Sequence, residues 1–266
     1  MKILIIGLGN MGRTYARSFL SSRFIESKDL FILTRSKNDA IKFDEIPPVN
    51  IQSLPGQFIK ETNIVILAVK PQDFNKLASE INPFIQKDQL ILSIMAGIKM
   101  DTISSKLNAK KVIRSMPNLP AQIGMGMTVF TASNDLDRKE LFIIQNLINT
   151  TGKSVYVDNE SLVDAATAVS GSGPAYVYYF MLAMIESAIN MGFTLSQAEL
   201  LVNQTFMGAV HLHNQSNITC LEWIGKVASK GGTTEAALQI LNNGEVNPKI
   251  EKALFAAFNR AKELGQ

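Results

Sequence analysis

The chain is poor in the residues that build disulfides, metal centres and nucleic-acid surfaces. Its 266 residues include one cysteine, Cys220, and two histidines. A single cysteine excludes an intramolecular disulfide and a metal site built on several thiolates. It makes a reduced, cytoplasmic setting the default expectation. His211 and His213 lie two apart, so they do not share a helix face. They read as surface or packing residues, and no metal site is expected. Net charge is only +3, although the pI is about 8.9. That balance gives no electrostatic support to a nucleic-acid partner. The N-terminal apolar run lacks a charged leader and a small-residue cleavage site, so no signal peptide is expected. Residues 165–185 carry no charge, which is the length of a membrane span. Ser170-Gly171-Ser172-Gly173-Pro174 interrupt that stretch, and no basic residue flanks it. Buried helices are expected there, and no membrane partner.

Apolar residues make up 46% of the chain, enough to fill a real core. The first half alternates strand-like and helix-like segments. Strands are expected at about 1–6, 30–34, 63–69, 89–95, 111–116, 125–132 and 154–157. Helices are expected at about 13–22, 73–81, 100–106 and 136–150. Strands joined through helices pair in parallel with right-handed crossovers. The expected fold class is therefore α/β: an N-terminal Rossmann-like, doubly wound sheet over residues 1–157, followed by an all-α domain over 158–266. In the second part, helices are expected at about 160–170, 174–191, 195–213, 218–228, 233–242 and 247–264. The helix at 174–191 is apolar on every face, with Tyr176, Val177, Phe180, Leu182, Met184 and Ile185. Such a helix must be covered all round. A subunit interface is the expected cover; the alternative is a central place in a monomeric bundle.

Strand, glycine turn and helix follow one another at Gly7-Leu8-Gly9-Asn10-Met11-Gly12. In that context GxGxxG has a physical meaning. The first glycine allows the tight turn, the second lets backbone approach a pyrophosphate, and the third lets helix pack on strand. The helix start adds free N–H groups and a positive dipole end. The plain alternative is an ordinary strand-to-helix turn. At the end of the second strand an NAD reader places an acid, whereas a basic residue there suits a 2′-phosphate. Here the residues are Arg35, Ser36 and Lys37, which favours NADP (NADPH) over NAD while leaving NAD possible. Ligands of open parallel sheets lie at the carboxyl ends of the strands. The cofactor-binding candidates are thus Ile6, Gly7, Gly9, Asn10, Met11 and Gly12, then Arg35, Ser36 and Lys37. Ala68, Val69, Lys70 and Pro71 follow the third strand, and Ala96 and Gly97 the fourth.

A second anion cradle is expected near the other end. Ser229-Lys230-Gly231-Gly232-Thr233-Thr234 lies between two helical segments. Two glycines before a helix start can form a nest of N–H groups. One dinucleotide does not need two such sites, so the second suits a substrate carboxylate or phosphate. An ordinary helix cap after a glycine turn is the alternative.

GLGNMG, AVKPQ, RSMPNLP, SGSGPAY and SKGGTT, in that order, resemble the motifs of the Δ1-pyrroline-5-carboxylate reductases, and the resemblance runs over nearly the whole chain. It implies NAD(P)H reduction of the C=N bond of 1-pyrroline-5-carboxylate to L-proline, the last step of proline biosynthesis. It implies that Ser229, Gly231, Gly232, Thr233 and Thr234 hold the substrate carboxylate. Thr234 is the implied catalytic residue, with its hydroxyl beside the ring nitrogen, and Glu160 is implied as a pocket-lining acid. It also implies a homodimer through the helical domain, in some members assembled further into decamers. Lys230 departs from the family pattern, which usually has proline there. A β-hydroxyacid dehydrogenase shares the two-domain plan, but needs a lysine four residues after the last glycine of its turn; from Gly173 that position is Val177. A non-catalytic NADP-binding paralogue is the other alternative. Cys220 reads as a small buried hydrophobe and Trp223 as core.

Overall fold

The computed structural model describes residues 1–35 and 46–264. Among them, eight strands form one sheet: β1 (Ile3–Ile6), β2 (Leu30–Leu33), β3 (Ile51–Gln52), β4 (Ile64–Leu67), β5 (Leu90–Ser93), β6 (Val112–Met116), β7 (Gly126–Ala132) and β8 (Gly152–Tyr156). Their spatial order is β3-β2-β1-β4-β5-β6-β7-β8. The chain runs outward in one direction from β1 through β2 to β3, then in the other from β4. The point where the order reverses, between β1 and β4, is where doubly wound sheets bind their ligands.

β1 is buried along its whole length because both faces are covered. Its alternation divides two cores. Ile3 and Ile5 join Tyr15 and Phe19 of α1 (Asn10–Ser21). The same layer holds Ile144 and Leu147 of α4 (Arg138–Asn149). Leu4 and Ile6 join Phe74 and Ile81 of α2 (Phe74–Ile81), with Ile103 and Leu107 of α3 (Met100–Leu107). The layered α/β plan is therefore as expected.

Three features go beyond or depart from the sequence expectation. β3 was not anticipated; it is a two-residue, half-buried edge strand, too short to carry a period. β7 runs antiparallel to β6. Only residues 117–125 connect them, and they hold a short 3-10 turn at Leu119–Ile123. A parallel crossover needs a dozen or more residues. Helix α1 also begins at Asn10, not near Arg13, because Gly9 is already its N-cap.

The chain divides into two compact units. The first contains 1–174 and the C-terminal stretch from Ala256; the second is Ala175–Phe255. The hydrophobic pattern changes at Asp158, but α5 (Ser161–Ala166) packs on β6 and β7 within the first unit. A π-helical turn at Thr167–Gly171 follows it. The remaining helices are α6 (Gly173–Asn190), α7 (Leu195–Asn214), α8 (Cys220–Val227), α9 (Thr233–Asn243) and α10 (Val246–Glu263). Capping boxes fix the starts of α7 and α8: Thr194 with Gln197, and Thr219 with Glu222.

Candidate dinucleotide site and second anion site

The strand ends of the first unit are in line. Leu33 pairs with Ile6, Ile6 with Leu67, Leu67 with Ser93, and Ser93 with Arg114. Gly7, Ala68 and Ile94 therefore leave the sheet side by side. The Gly7 N–H donates to Leu33 O at 2.9 Å, and the Ala68 N–H to Ile6 O at 2.9 Å. The Ile6 side chain is in the core, so only its backbone faces this edge.

The three glycines differ in what surrounds them. Gly7 has φ +99°, and a Cβ there would lie 2.7 Å from Ala68 O and 3.0 Å from Val69 Cγ1. A Cβ on Gly12 would lie 2.0 Å from Gly7 O. These two are required by the turn itself. Gly9 has ordinary extended backbone, and a Cβ on it would meet nothing within 4 Å. Gly9 is exposed, sits at the N-cap of α1 and carries no side-chain cap. The turn thus leaves open space in front of an uncapped helix start, which fits a pyrophosphate.

Asn10 is exposed beside Gly9, and Met11 packs partly on the core. Arg35 stands at the end of β2 with its side chain 90% exposed. Its Nη2 lies 3.3 Å from Oδ2 of Asp73, a partner that sequence reasoning missed. Exposed pairs of this kind contribute at most about 1 kcal/mol. A phosphate can therefore compete for the guanidinium. Ser36 and Lys37 lie outside the described residues. Lys70 is exposed and caps the short 3-10 turn Pro71–Asp73 after β4. Ala96 is half-buried and Gly97 buried, in the turn after β5, where Gly97 has φ +77°.

Arg114 of β6 has a side chain only 1% exposed. Its Nη1 lies 3.2 Å from Oε1 of Glu160, and its Nη2 pairs with Asp164. Glu160 and Asp164 are four apart, so they share one face of the helical segment. Two like charges there repel, and the guanidinium between them offsets that repulsion. Glu160 Oε1 also accepts the Met100 N–H at 2.8 Å. Sequence reasoning named Glu160 but missed Arg114 and Asp164. An arginine inside the apolar strand VIRSM was the available signal, since buried charges need partners.

The second unit holds the other glycine loop. Gly231 has φ +73°, and Gly232 is the N-cap of α9, again without a side-chain cap. The Gly231 N–H donates to Oε2 of Glu235 at 2.7 Å. That N–H is therefore already placed to meet a carboxylate oxygen. Glu235 was not anticipated; it reaches back from the first turn of α9. Ser229, Lys230 and Thr233 are exposed, and Thr234 is half-buried in the first turn of α9.

Two expectations for single residues fail. Cys220 is exposed, not buried, because it opens α8 just after its cap. Trp223 is half-buried, with Nε1 donating to Ser216 Oγ at 3.3 Å. The apolar helix α6 has no buried residue in the chain, and Tyr179 is 72% exposed. That excludes a central place in a monomeric bundle. Tyr176, Tyr179 and Phe180 of α6 line a groove of about 460 Å³ with Ile250, Ala253 and Leu254 of α10. Among the described residues, no helix is long and apolar enough to cross a membrane, and no group of acidic, histidine or cysteine side chains could hold a metal.

Reversed strand order, glycine-capped helix start and basic second-strand end define a dinucleotide-binding oxidoreductase domain, here followed by a helical unit. Comparison with known proteins narrows this. The family model for "NADP oxidoreductase coenzyme F420-dependent" matches residues 2–97, and that for "pyrroline-5-carboxylate reductase dimerisation" matches residues 160–264. The pyrroline-5-carboxylate reductase of Staphylococcus epidermidis is 32% identical, over 99% of this chain and 98% of that protein. A Plasmodium falciparum pyrroline carboxylate reductase structure with NADP bound superposes with TM-score 0.90 at 26% identity, covering 100% of this chain and 98% of the other. A Coxiella burnetii pyrroline-5-carboxylate reductase gives TM-score 0.89 at 30% identity, covering 100% and 98%. The chain belongs to the pyrroline-5-carboxylate reductase family.

Proposed function

We propose that the chain reduces 1-pyrroline-5-carboxylate to L-proline with NADPH, the last step of proline biosynthesis, in the cytoplasm. The observation that carries the reading is a pair of glycine-capped helix starts, Gly9 before α1 and Gly232 before α9, in a chain of this family. The first receives the pyrophosphate, with Gly7, Asn10, Met11 and Gly12 around it. Arg35 receives the 2′-phosphate, with Ser36 and Lys37 beside it in sequence. Ala68, Val69, Lys70, Pro71, Ala96 and Gly97 line the strand ends. The second helix start receives the substrate carboxylate on Ser229, Gly231, Gly232 and Thr233. The substrate carboxylate takes the Gly231 N–H in place of Glu235, and Lys230 adds a cation to the loop.

When bound, NADPH supplies a hydride to the imine carbon; the C=N electron pair moves to nitrogen, which gives the amine and NADP. An iminium substrate already carries the nitrogen proton, so the chain needs no strong general acid. Thr234 orients the ring nitrogen through its hydroxyl, and positioning then dominates the rate. The uncovered faces of α6 and α10 meet a second copy, giving a homodimer through the helical half; five such dimers would make a decamer. This cover accounts for the exposed apolar residues of the second unit.

The test is direct. Purified protein with 1-pyrroline-5-carboxylate should consume NADPH with a higher kcat/KM than NADH. An NADH preference would remove Arg35 from its role, and binding of NADPH without turnover would make the chain a non-catalytic paralogue. Thr234→Ala should lower kcat/KM by about 10- to 100-fold, or about 1.4–2.7 kcal/mol of transition-state stabilisation. The Kd for NADPH should stay within about two-fold of the parent value. Unchanged kcat/KM would take Thr234 out of the mechanism.

A further inference from the structure

The turn after β5 is pinned at both ends. On the upstream side the Ile94 N–H donates to Leu67 O at 3.1 Å, and the Met95 N–H to Ser93 Oγ at 3.2 Å. Ser93 is itself held, because Ser115 Oγ donates to Ser93 O at 3.0 Å. On the downstream side the turn runs into α3, whose N-cap Lys99 makes no side-chain cap of its own. The Met100 N–H is taken instead by Glu160, sixty residues away in sequence. Between the two pins lies Gly97, with φ +77°. A turn with a left-handed glycine at its centre has little local preference to keep it in shape. Its shape depends on the pins.

Glu160 is held in turn. Arg114 is nearly fully buried, and it spans Glu160 and Asp164. Its Nε is buried and has no hydrogen-bond partner. The guanidinium is therefore committed to these two carboxylates alone. Asp164 is 7% exposed and Glu160 25%. The least solvated of the carboxylates fixes the guanidinium, and the guanidinium fixes the one that reaches Met100. A carboxylate at the start of α3 also suits the positive end of that helix.

We propose that Glu160, held by Arg114 and Asp164, is a positioning residue for the cofactor: it sets the Ala96–Gly97 turn through the Met100 N–H. This rests on the NADPH reading above. It differs from a pocket-lining role, in which Glu160 would meet the substrate and not the cofactor's turn.

The two roles separate in the measurement. NADPH binding is followed by fluorescence titration with no pyrroline carboxylate present, and KM for 1-pyrroline-5-carboxylate is measured separately at saturating NADPH. Glu160→Ala should raise the Kd for NADPH by about ten-fold, the size of a lost helix cap. Glu160→Gln keeps a carbonyl oxygen for Met100 and should recover most of that loss. If the alanine variant does not fold, Glu160→Asp decides, since one methylene less prevents one carboxylate from reaching both Arg114 and Met100. Its Kd should also rise several-fold. A Kd within two-fold of the parent in the alanine and aspartate variants overturns the proposal, whether or not Tm falls. So does a rise in substrate KM with NADPH affinity intact, which would return Glu160 to the pocket wall. A parent protein that binds NADPH but does not reduce the imine defeats the substrate reading and leaves this test standing.

Discussion

Gly12→Ala is expected to remove NADPH binding and to lower stability together, whereas Gly9→Ala should remove binding alone. The added methyl at residue 12 would lie 2.0 Å from Gly7 O, which belongs to backbone and cannot swing away. Either α1 moves off β1 or the turn opens. Both displace the N–H groups of the helix start. A loss of at least about 100-fold in NADPH affinity follows, about 2.7 kcal/mol. At Gly9 the methyl meets nothing in the free protein, and the backbone there suits any residue. It fills only the space that the turn leaves open. Gly9→Ala should therefore melt within about 2 °C of the parent, a shift of about 1 kcal/mol or less for a chain of this size, yet bind NADPH at least about ten-fold more weakly. Thermal melts with and without NADPH read both effects in one experiment. If Gly9→Ala bound NADPH as the parent does, the pyrophosphate would not lie where the turn is open.

Arg114→Met should cost about 3–5 kcal/mol of stability, the usual penalty for removing one partner from a buried ion pair. The loss arises less from the missing attraction than from Glu160 and Asp164 left facing each other, four residues apart. The triple variant Arg114→Met, Glu160→Gln, Asp164→Asn tests that account. Removing the orphaned charges should restore most of the loss, because a neutral cluster of similar volume is often as stable as a buried ion pair. Urea unfolding at one fixed protein concentration checks both. If the triple variant were no more stable than the single one, the penalty would be a packing defect at Arg114 and not an electrostatic one.

The sequence made some of this visible and hid the rest for physical reasons. Continuous apolar runs such as IVILAV announced strands buried on both faces. The 3.6-residue period placed α2, α4, α7 and α10 to within a few residues. The antiparallel β7 goes with the short connection at residues 117–125, where the sequence predicts no helix; the parallel expectation covers strands joined through helices. β3 was hidden because two residues hold no pattern. In the candidate site, the glycines of both loops could be read from local sequence, since turn chemistry is local. Asp164, Asp73 and Glu235 could not, and for Arg114 the apolar strand around it signals a buried charge without naming its partners. Each matters through a partner that only the fold brings near, or, for Glu235, through a side chain that turns back on its own loop. Cys220 was misjudged because residue type suggests burial, while its place in the first turn of α8 dictates exposure.

Helix α6 has eighteen residues and no buried side chain within its own chain. In the whole unit Ala175–Phe255, only Ala198 and Val202 are buried among the described residues. Ordering a residue costs about 1–2 kcal/mol of backbone entropy, and apolar burial is what offsets it. The sheet unit has its two cores and can meet that cost from its own residues. The helical unit must draw on a second copy, as proposed, so its folding is second order in chain concentration while that of the sheet is first order. On that proposal, newly made chains would pass through a stage with a finished sheet half and an unfinished helical half, whose duration shortens as copies accumulate. With the dimer as proposed, dilution would act as a denaturant on the helical half and leave the sheet half folded.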